Sequence, residues 1–306
     1  DGVTVDLATQ FVHLTNVFST VEPGAGTRCI GPKVARTLNP YHFAQPPTVR
    51  LNGTVPLHGN AGSDLRVDVS GGPFQWWKFK VPWISGTVHW QHPTVTLTNV
   101  TMAFYGGGAH GWGLFDSSVE PGTGCQFSDA ATNVTLHALM ADLTTPTNRL
   151  EGTARTTLTI THANSEDWRS WHGYGDAQLR DGLIWEIPVF GVLSGPLDGI
   201  VPGLGSSRMS EGSAQFILTN GVIFSNDLEM RAPTTRLQYV GTVDLQGRVD
   251  ATVQAEPLRD TWLVGRVVSL ALWPVSKILE FKVSGTLDKP QAQPLYIPKL
   301  FFLPLH

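Results

Sequence analysis

Apolar and polar residues alternate with a period of two along most of the chain. The cleanest run is Thr242–Ala255. Val243, Leu245, Val249, Ala251, Val253 and Ala255 fall on one parity, and Thr242, Asp244, Gln246, Arg248, Asp250, Thr252 and Gln254 on the other. Successive side chains of a strand point to opposite faces, so this run predicts one apolar and one wet face. Parity is kept across Gln246-Gly247-Arg248, which fits either one long strand or a hairpin whose three-residue loop places Gly in the left-handed region. A two-residue loop at Gln246-Gly247 is disfavoured, because it sets Leu245 opposite Arg248. Comparable patterns predict strands over Thr48–Leu57, Leu65–Ser70, Ser85–Trp90, Thr94–Tyr105, Asn133–Leu139, Leu150–His162, Ala214–Phe224 and Lys282–Leu287. The chain also opens in strand style, with Val3, Val5 and Leu7 alternating with Thr4 and Asp6.

A local grammar recurs in these strands: an apolar residue, any residue, Gly, Thr, then an apolar or small residue. It appears at Leu51–Val55, Ile84–Val88 and Leu150–Ala154, and again around Gly241-Thr242-Val243 and Gly285-Thr286-Leu287. A glycine inside a strand marks a bulge or bend, and repeated bends curl a sheet. Val21-Glu22-Pro23-Gly24 and Val119-Glu120-Pro121-Gly122 read as two similar Pro-Gly turns. Helix patterns are few. Three-four spacing joins Ile187, Phe190, Leu193, Leu197, Ile200 and Val201, and a second apolar stretch runs over Leu258–Leu279. Together these predict a mainly β chain: an elongated, curled antiparallel sheet, an open groove or half-barrel, with one or two short apolar helices. A soft boundary near Asn164–Asp176 divides it into segments 1–163 and 164–306 that share a continuous sheet. The apolar tail Tyr296–His306 reads as a segment that leans on another surface.

Charged residues make up only 15% of the 306, with a net charge of −4 and no basic block. Nucleic-acid binding needs a clustered cationic face, and none is present in the sequence. The longest apolar run, Val267–Trp273, falls well short of the roughly 20 residues of a membrane span, so any anchor is expected outside this chain. No signal peptide heads the sequence, which reads as a mature or excised domain. Two cysteines, Cys29 and Cys125, fit one disulfide or two free thiols equally well.

Chemistry-bearing motifs are weak. Gly106–Gly111 spells G-x-G-x-x-G after a strand, but Trp112-Gly113-Leu114-Phe115 cannot supply the helix whose N-terminus holds a pyrophosphate. His89 and His92 lie on opposite faces of an extended segment, and no Cys or carboxylate spacing completes a metal site. There is no G-x-S-x-G elbow. A carboxylate pair drawn from distant strands remains a minor enzymatic alternative. The aromatic cluster Trp76, Trp77, Phe79, Trp83 and Trp90 suits sugar stacking or, more commonly, inter-sheet packing. Neither catalytic residues nor a cofactor or metal is expected.

Ala214–Ile223, Asn226–Met230 and Tyr239–Leu245, with Val283–Pro290 at the end, resemble the C-terminal region of AsmA-like proteins, relatives of TamB. Gly182–Pro188 is similar to the stretch before that family's helix, and Ala103–Gly107 to its glycine-rich strand ends. The likeness runs from about residue 173 to 290 and more loosely from 40 to 158. It implies a non-enzymatic periplasmic domain anchored to the bacterial inner membrane, with an apolar groove. Its implied roles are phospholipid transport between membranes or outer-membrane homeostasis. The expected ligand is a phospholipid or other acyl chain, with envelope proteins as further partners. The residues expected to line the groove are Phe216, Leu218, Val222, Phe224, Val243, Leu245, Val249, Ala251 and Val253. The alternatives are a structural or partner-binding envelope domain whose helices close the sheet, and a carbohydrate-binding β-sandwich using Trp76, Trp77 and Trp83.

Overall fold

The computed structural model describes residues 2–20, 41–76, 78–143, 149–183, 185, 187–200, 202–206, 208–258 and 279–297. Alternation becomes one large antiparallel sheet of sixteen strands that does not close on itself. Its order follows the chain: β1 (Gly2–Asp6), β2 (Phe11–Ser19), β4 (Thr48–Pro56), β5 (Asp64–Gly71), β8 (Trp83–Gln91), β9 (Thr94–Phe104), β10 (Gly107–Asp116) and β11 (Gly124–Thr135). It continues through β12 (Thr153–Asn164), β13 (Asp167–Gly182), β14 (Met209–Thr219), β15 (Val222–Arg231), β16 (Thr235–Asp244), β17 (Arg248–Pro257), β18 (Leu279–Thr286) and β19 (Pro290–Tyr296). A separate three-stranded sheet joins β3 (Tyr41–Phe43), β6 (Phe74–Trp76) and β7 (Phe79–Val81). Helical segments are short: α1 (Leu136–Leu143), α2 (Pro188–Gly191) and α3 (Ser194–Ile200).

Two expectations change at the level of elements, and between the two readings of Thr242–Ala255 the structure takes the hairpin. Ala214–Phe224 is not one strand but the hairpin of β14 and β15, turned at Asn220 (φ 52°) and Gly221 (φ 73°). Positive φ at both central residues is what a tight primed turn requires, and Asn-Gly supplies it. The expected strand Asn133–Leu139 ends at Thr135 and continues as α1. There the Leu, Ala and Met residues are strong helix formers, and Leu136, Leu139, Met140 and Leu143 recur at three-four spacing. Thr242–Ala255 is a hairpin with Gly247 at φ 84°, but Val243 faces Val249, so the loop is Leu245-Gln246-Gly247 and Leu245 leaves the strand. The predicted helix Leu258–Leu279 lies outside the described residues except for its two ends, of which Leu279 opens β18. The first Val-Glu-Pro-Gly copy and the tail beyond Ile297 also lie outside them.

The recurrent strand glycines sit where the chain crowds its neighbour. A Cβ on Gly241 would meet the backbone of Ala251 at 2.4 Å, and one on Gly53 (φ 134°) would meet the Asp64 carbonyl oxygen at 2.0 Å. These are bulge and close-approach positions that no other residue fits without backbone movement.

The chain forms two compact units. The first comprises Asp1–Val134, Ala141–Pro146 and Thr157–Trp171, and the second Thr135–Met140, Thr147–Thr156 and His172–His306. In the second unit, the apolar parity of β16, β17 and β18 is covered. Leu237, Val253, Ala255, Leu279, Phe281 and Val283 are buried together with Leu193, Leu197 and Leu204, all at 0–1% exposure. Phe190 of α2 packs edge-on against Tyr239 at 5.3 Å. Pro188 opens α2 at a position that needs no N–H. After α3, Asp198 Oδ1 accepts hydrogen bonds from Gly203 N (3.0 Å) and Gly205 N (2.8 Å), folding Leu204 down onto the sheet. In the first unit, the strands from β1 to β11 instead carry an apolar face that stays half-open.

Candidate functional site

The nine residues expected to line one groove do not share one surface. Val249, Ala251 and Val253 lie in the sealed core of the second unit, with Val243 packed at its margin. Leu218 is buried and Phe216 half-buried on the face that carries Ile223. Val222 and Phe224 are on the opposite face, paired with Thr219 and Ile217. Leu245 stands in the β16–β17 loop, 37% exposed. The physical reason is turn length. A two-residue loop pairs even-numbered positions of one strand with odd-numbered positions of the next, so Phe216 and Leu218 cannot share a face with Val222 and Phe224. A bulge between Ser225 and Leu228 then returns Leu228 and Met230 to the covered side, opposite Tyr239 and Leu237.

A continuous apolar face is present in the first unit. Directly paired residues of antiparallel strands project to the same side. Following the pairs from β1 to β11 gives the row Val3, Leu14, Gly53, Leu65, Trp90, Val95, Phe115 and Cys125. The next row is Val17, Leu51, Val67, Val88, Leu97, Gly113 and Phe127. Bulges at Leu14/Val17 and Ser85/Thr87 keep the rows in phase where the ladders slip. Leu65 and Trp90 are buried, but Leu51, Val67, Val88, Val95, Leu97, Phe115 and Phe127 are only half-buried, and Val3 at the edge is 58% exposed. At one end the small sheet packs on this face, with Phe79 of β7 against Phe104 of β9 at 5.9 Å, and the rest of the rows stays partly accessible.

The reverse side of the same strands is polar and engaged. Asp64 Oδ1 pairs with His89 Nε2 at 2.7 Å, Thr87 Oγ1 donates to Asp68 Oδ1 at 2.6 Å, and Arg66 reaches Asp68 at 3.3 Å. Arg50 stacks over the Phe18 ring at 4.6 Å. His89 Nε2 donates to Asp64, and that hydrogen bond holds Asp64 below the usual carboxylate range.

One carboxylate stands on the apolar side. Asp129 pairs with Gly111, which pairs with Val100, and it shares its strand face with Phe127 and Ala131. A Cβ on Gly111 would lie 2.0 Å from Asp129 Oδ1, so the glycine makes the room that the carboxylate fills. Asp129 accepts no hydrogen bond among the described residues. Asp129 is exposed at its surface, yet the apolar strands around it push its pKa up to about 6, against a smaller opposing pull from His110. Alternation could not single it out, because Asp129 occupies a position whose neighbours two residues away, Phe127 and Ala131, are apolar.

The other motifs resolve into structure. The glycine-rich stretch is the β9–β10 hairpin, turned at Tyr105 (φ 46°) and Gly106 (φ 84°), and β10, not a helix, follows it. The buried Tyr105 hydroxyl donates to Asp142 Oδ2 (2.8 Å) and accepts from Lys80 N (3.0 Å), with its pKa pushed up to about 12 chiefly by burial. The aromatic cluster does not form one platform. Trp90 is in the apolar row, Trp76 tilts against Phe79 at 5.6 Å, Trp83 begins β8 exposed, and Trp77 lies outside the described residues. Cys125 is a free thiol whose pKa is raised by burial, and Cys29 lies outside the described residues. A cavity of about 260 Å3 in the second unit is lined by Arg180, Glu211, Glu229 and Arg231, and within it Arg231 pairs with both Glu211 and Glu229.

Fold and face together define a mainly β protein built on one open antiparallel sheet, one side of which is apolar and, among the described residues of the first unit, only partly buried. No protein-family model, curated protein or solved structure matches the chain.

Proposed function

We propose that the chain is a non-enzymatic lipid-contacting domain, and that acyl chains lie along the apolar face of β1 to β11 in its first unit. The observation that carries this is the pair of cross-strand apolar rows left half-open where an ordinary sheet would be covered. Acyl chains suit such a surface because apolar contact needs no directional hydrogen bonds. Each methylene removed from water contributes about 0.8 kcal/mol, so a short stretch of chain yields measurable affinity. The resemblance of residues 173–290 to AsmA-like proteins supports the same reading and extends it to a periplasmic protein anchored by a segment outside this chain, with a part in phospholipid transport or outer-membrane homeostasis.

The test is native mass spectrometry of detergent-free protein combined with titration of an uncharged apolar dye, N-phenylnaphthylamine. Co-purified lipid and saturable dye binding are expected. Leu51→Asp with Leu97→Asp should weaken dye binding on the order of tenfold or more, since each places a charge in the rows. Absence of both lipid and dye binding sinks the proposal. A second reading, a structural or partner-binding envelope domain with a closed core, is favoured by the sealed core of the second unit. It gains if the dye finds no site.

A further inference from the structure

The apolar face of the first unit has two ends along its strands, and they are built differently. At one, where β9 stops at Phe104, the small sheet packs on it. Phe79 meets Phe104 at 5.9 Å, Lys80 Nζ pairs with Asp142 Oδ1 at 2.9 Å, and Lys78 Nζ donates to the Leu143 carbonyl oxygen at 3.0 Å. At the other, where β10 stops at Asp116 and β11 starts at Gly124, a ladder of rings runs outward from the second row. Phe127 meets Trp171 edge-on at 6.2 Å, Trp171 meets Trp168 at 5.1 Å, and Trp168 is 56% exposed.

The ladder ends on a fixed tip. The loop between β10 and β11 is fastened to the β12–β13 turn. Asn164 Nδ2 donates to the Pro121 carbonyl oxygen at 2.8 Å, Ser165 N to the Thr123 carbonyl oxygen at 3.0 Å, and Thr123 N to Ser165 Oγ at 3.0 Å. Trp171 Nε1 donates to the Asn164 carbonyl oxygen at 3.1 Å. The second Val-Glu-Pro-Gly motif is thus one half of this tip, and its Val119 is exposed. Apolar side chains on loops ordered in advance lose little freedom on meeting a partner. An indole, apolar in its body and polar at its N–H, suits the boundary between lipid headgroups and acyl chains. Charge narrows the choice of surface. Residues 116–124 and 164–169 carry Asp116, Glu120, Glu166 and Asp167 against Arg169, so an anionic membrane repels the tip and a zwitterionic one does not.

We propose that the first unit docks on a zwitterionic phospholipid surface through this tip, with Trp168 and Val119 at headgroup level and the ring ladder leading an acyl chain to the row at Phe127. The inference rests on the lipid-contacting role and names the surface that supplies the lipid.

The experiment is co-sedimentation of the chain with vesicles of phosphatidylcholine and of phosphatidylcholine mixed with phosphatidylglycerol, with N-phenylnaphthylamine titrated in parallel. Binding to phosphatidylcholine is expected at low and high salt alike, and weaker binding to the anionic mixture at low salt, recovering as salt screens the charge. Trp168→Ser should weaken binding to phosphatidylcholine on the order of tenfold, and Trp168→Phe by less. Trp83→Ser, which alters a similarly exposed tryptophan at the opposite end of the strands, should leave it unchanged. No binding to phosphatidylcholine, equal binding by Trp168→Ser, or an equal loss with Trp83→Ser overturns the inference, and dye binding in the same protein leaves the lipid-contacting role standing. Retention on immobilised dextran that Trp168→Ser abolishes, without vesicle binding, gives the tip to a sugar and also overturns it. A chain that takes neither dye nor lipid removes the lipid-contacting role itself.

Discussion

The two units of this chain use the same strand chemistry to different ends. In β16, β17 and β18, apolar side chains alternate with Asp, Gln and Lys, and α2, α3 and Leu204 cover the apolar parity until Leu237, Val253 and Phe281 are shut away from water. In β4, β5 and β8 the alternation is equally regular, yet Leu51, Val67 and Val88 stay half-buried. Binary patterning therefore sets which side of a sheet is apolar, but not whether that side becomes a core. A short helical cap closes one face; where none of the described helices lies over it, the same pattern stays partly accessible.

The largest test of this contrast compares one substitution in two places. Leu237→Ala, at 0% exposure, is expected to cost about 3 to 5 kcal/mol. Leu97→Ala, half-buried, should cost about 1 kcal/mol. Urea midpoints of the two variants measure both, and equal costs would mean that the first unit's face is covered after all. Next in size, Gly241→Ala should cost about 1 to 3 kcal/mol, because its Cβ would strike Ala251 backbone at 2.4 Å. Gly108→Ala, whose nearest neighbour is the Met102 carbonyl oxygen at 3.9 Å, should stay within about 0.5 kcal/mol in thermal melts.

Smaller effects separate the units by pH. Glu229, held by Arg236 and Arg231, titrates at about 2 in place of its ordinary 4.5. Its contribution is complete above the ordinary value and is lost as pH falls toward about 2. Glu229→Gln should therefore lower the melting temperature at neutral pH, by no more than about 1 kcal/mol equivalent, and have no effect near pH 2. Asp129 has the opposite sign. Its pKa is raised from 3.8 to about 6, so the folded state favours the protonated form, and the penalty is absent below the ordinary value and full above about 6. Asp129→Asn should raise the melting temperature slightly at neutral pH and leave it unchanged in acid. A variant that melts lower at neutral pH would show that the carboxylate is satisfied.

Period-two alternation and the strand glycines are local features, and each was legible because a strand's faces depend on a few consecutive residues; the tight turn at Asn220-Gly221 was equally local but was read through as strand. The mainly β class and the open antiparallel sheet followed from them. What they could not convey is how faces line up across turns. Phe216 and Phe224 share an alternation in sequence but not a surface, because the loop between their strands holds two residues, whereas the three-residue loop at Gly247 keeps Val243 and Val249 together. Nor could alternation tell Val253, buried under Leu193 and Leu197, from Val67, which is left half-open. Register, bulges and coverage join residues far apart in the chain, so only the tertiary structure decided where an apolar parity became core and where it stayed a surface.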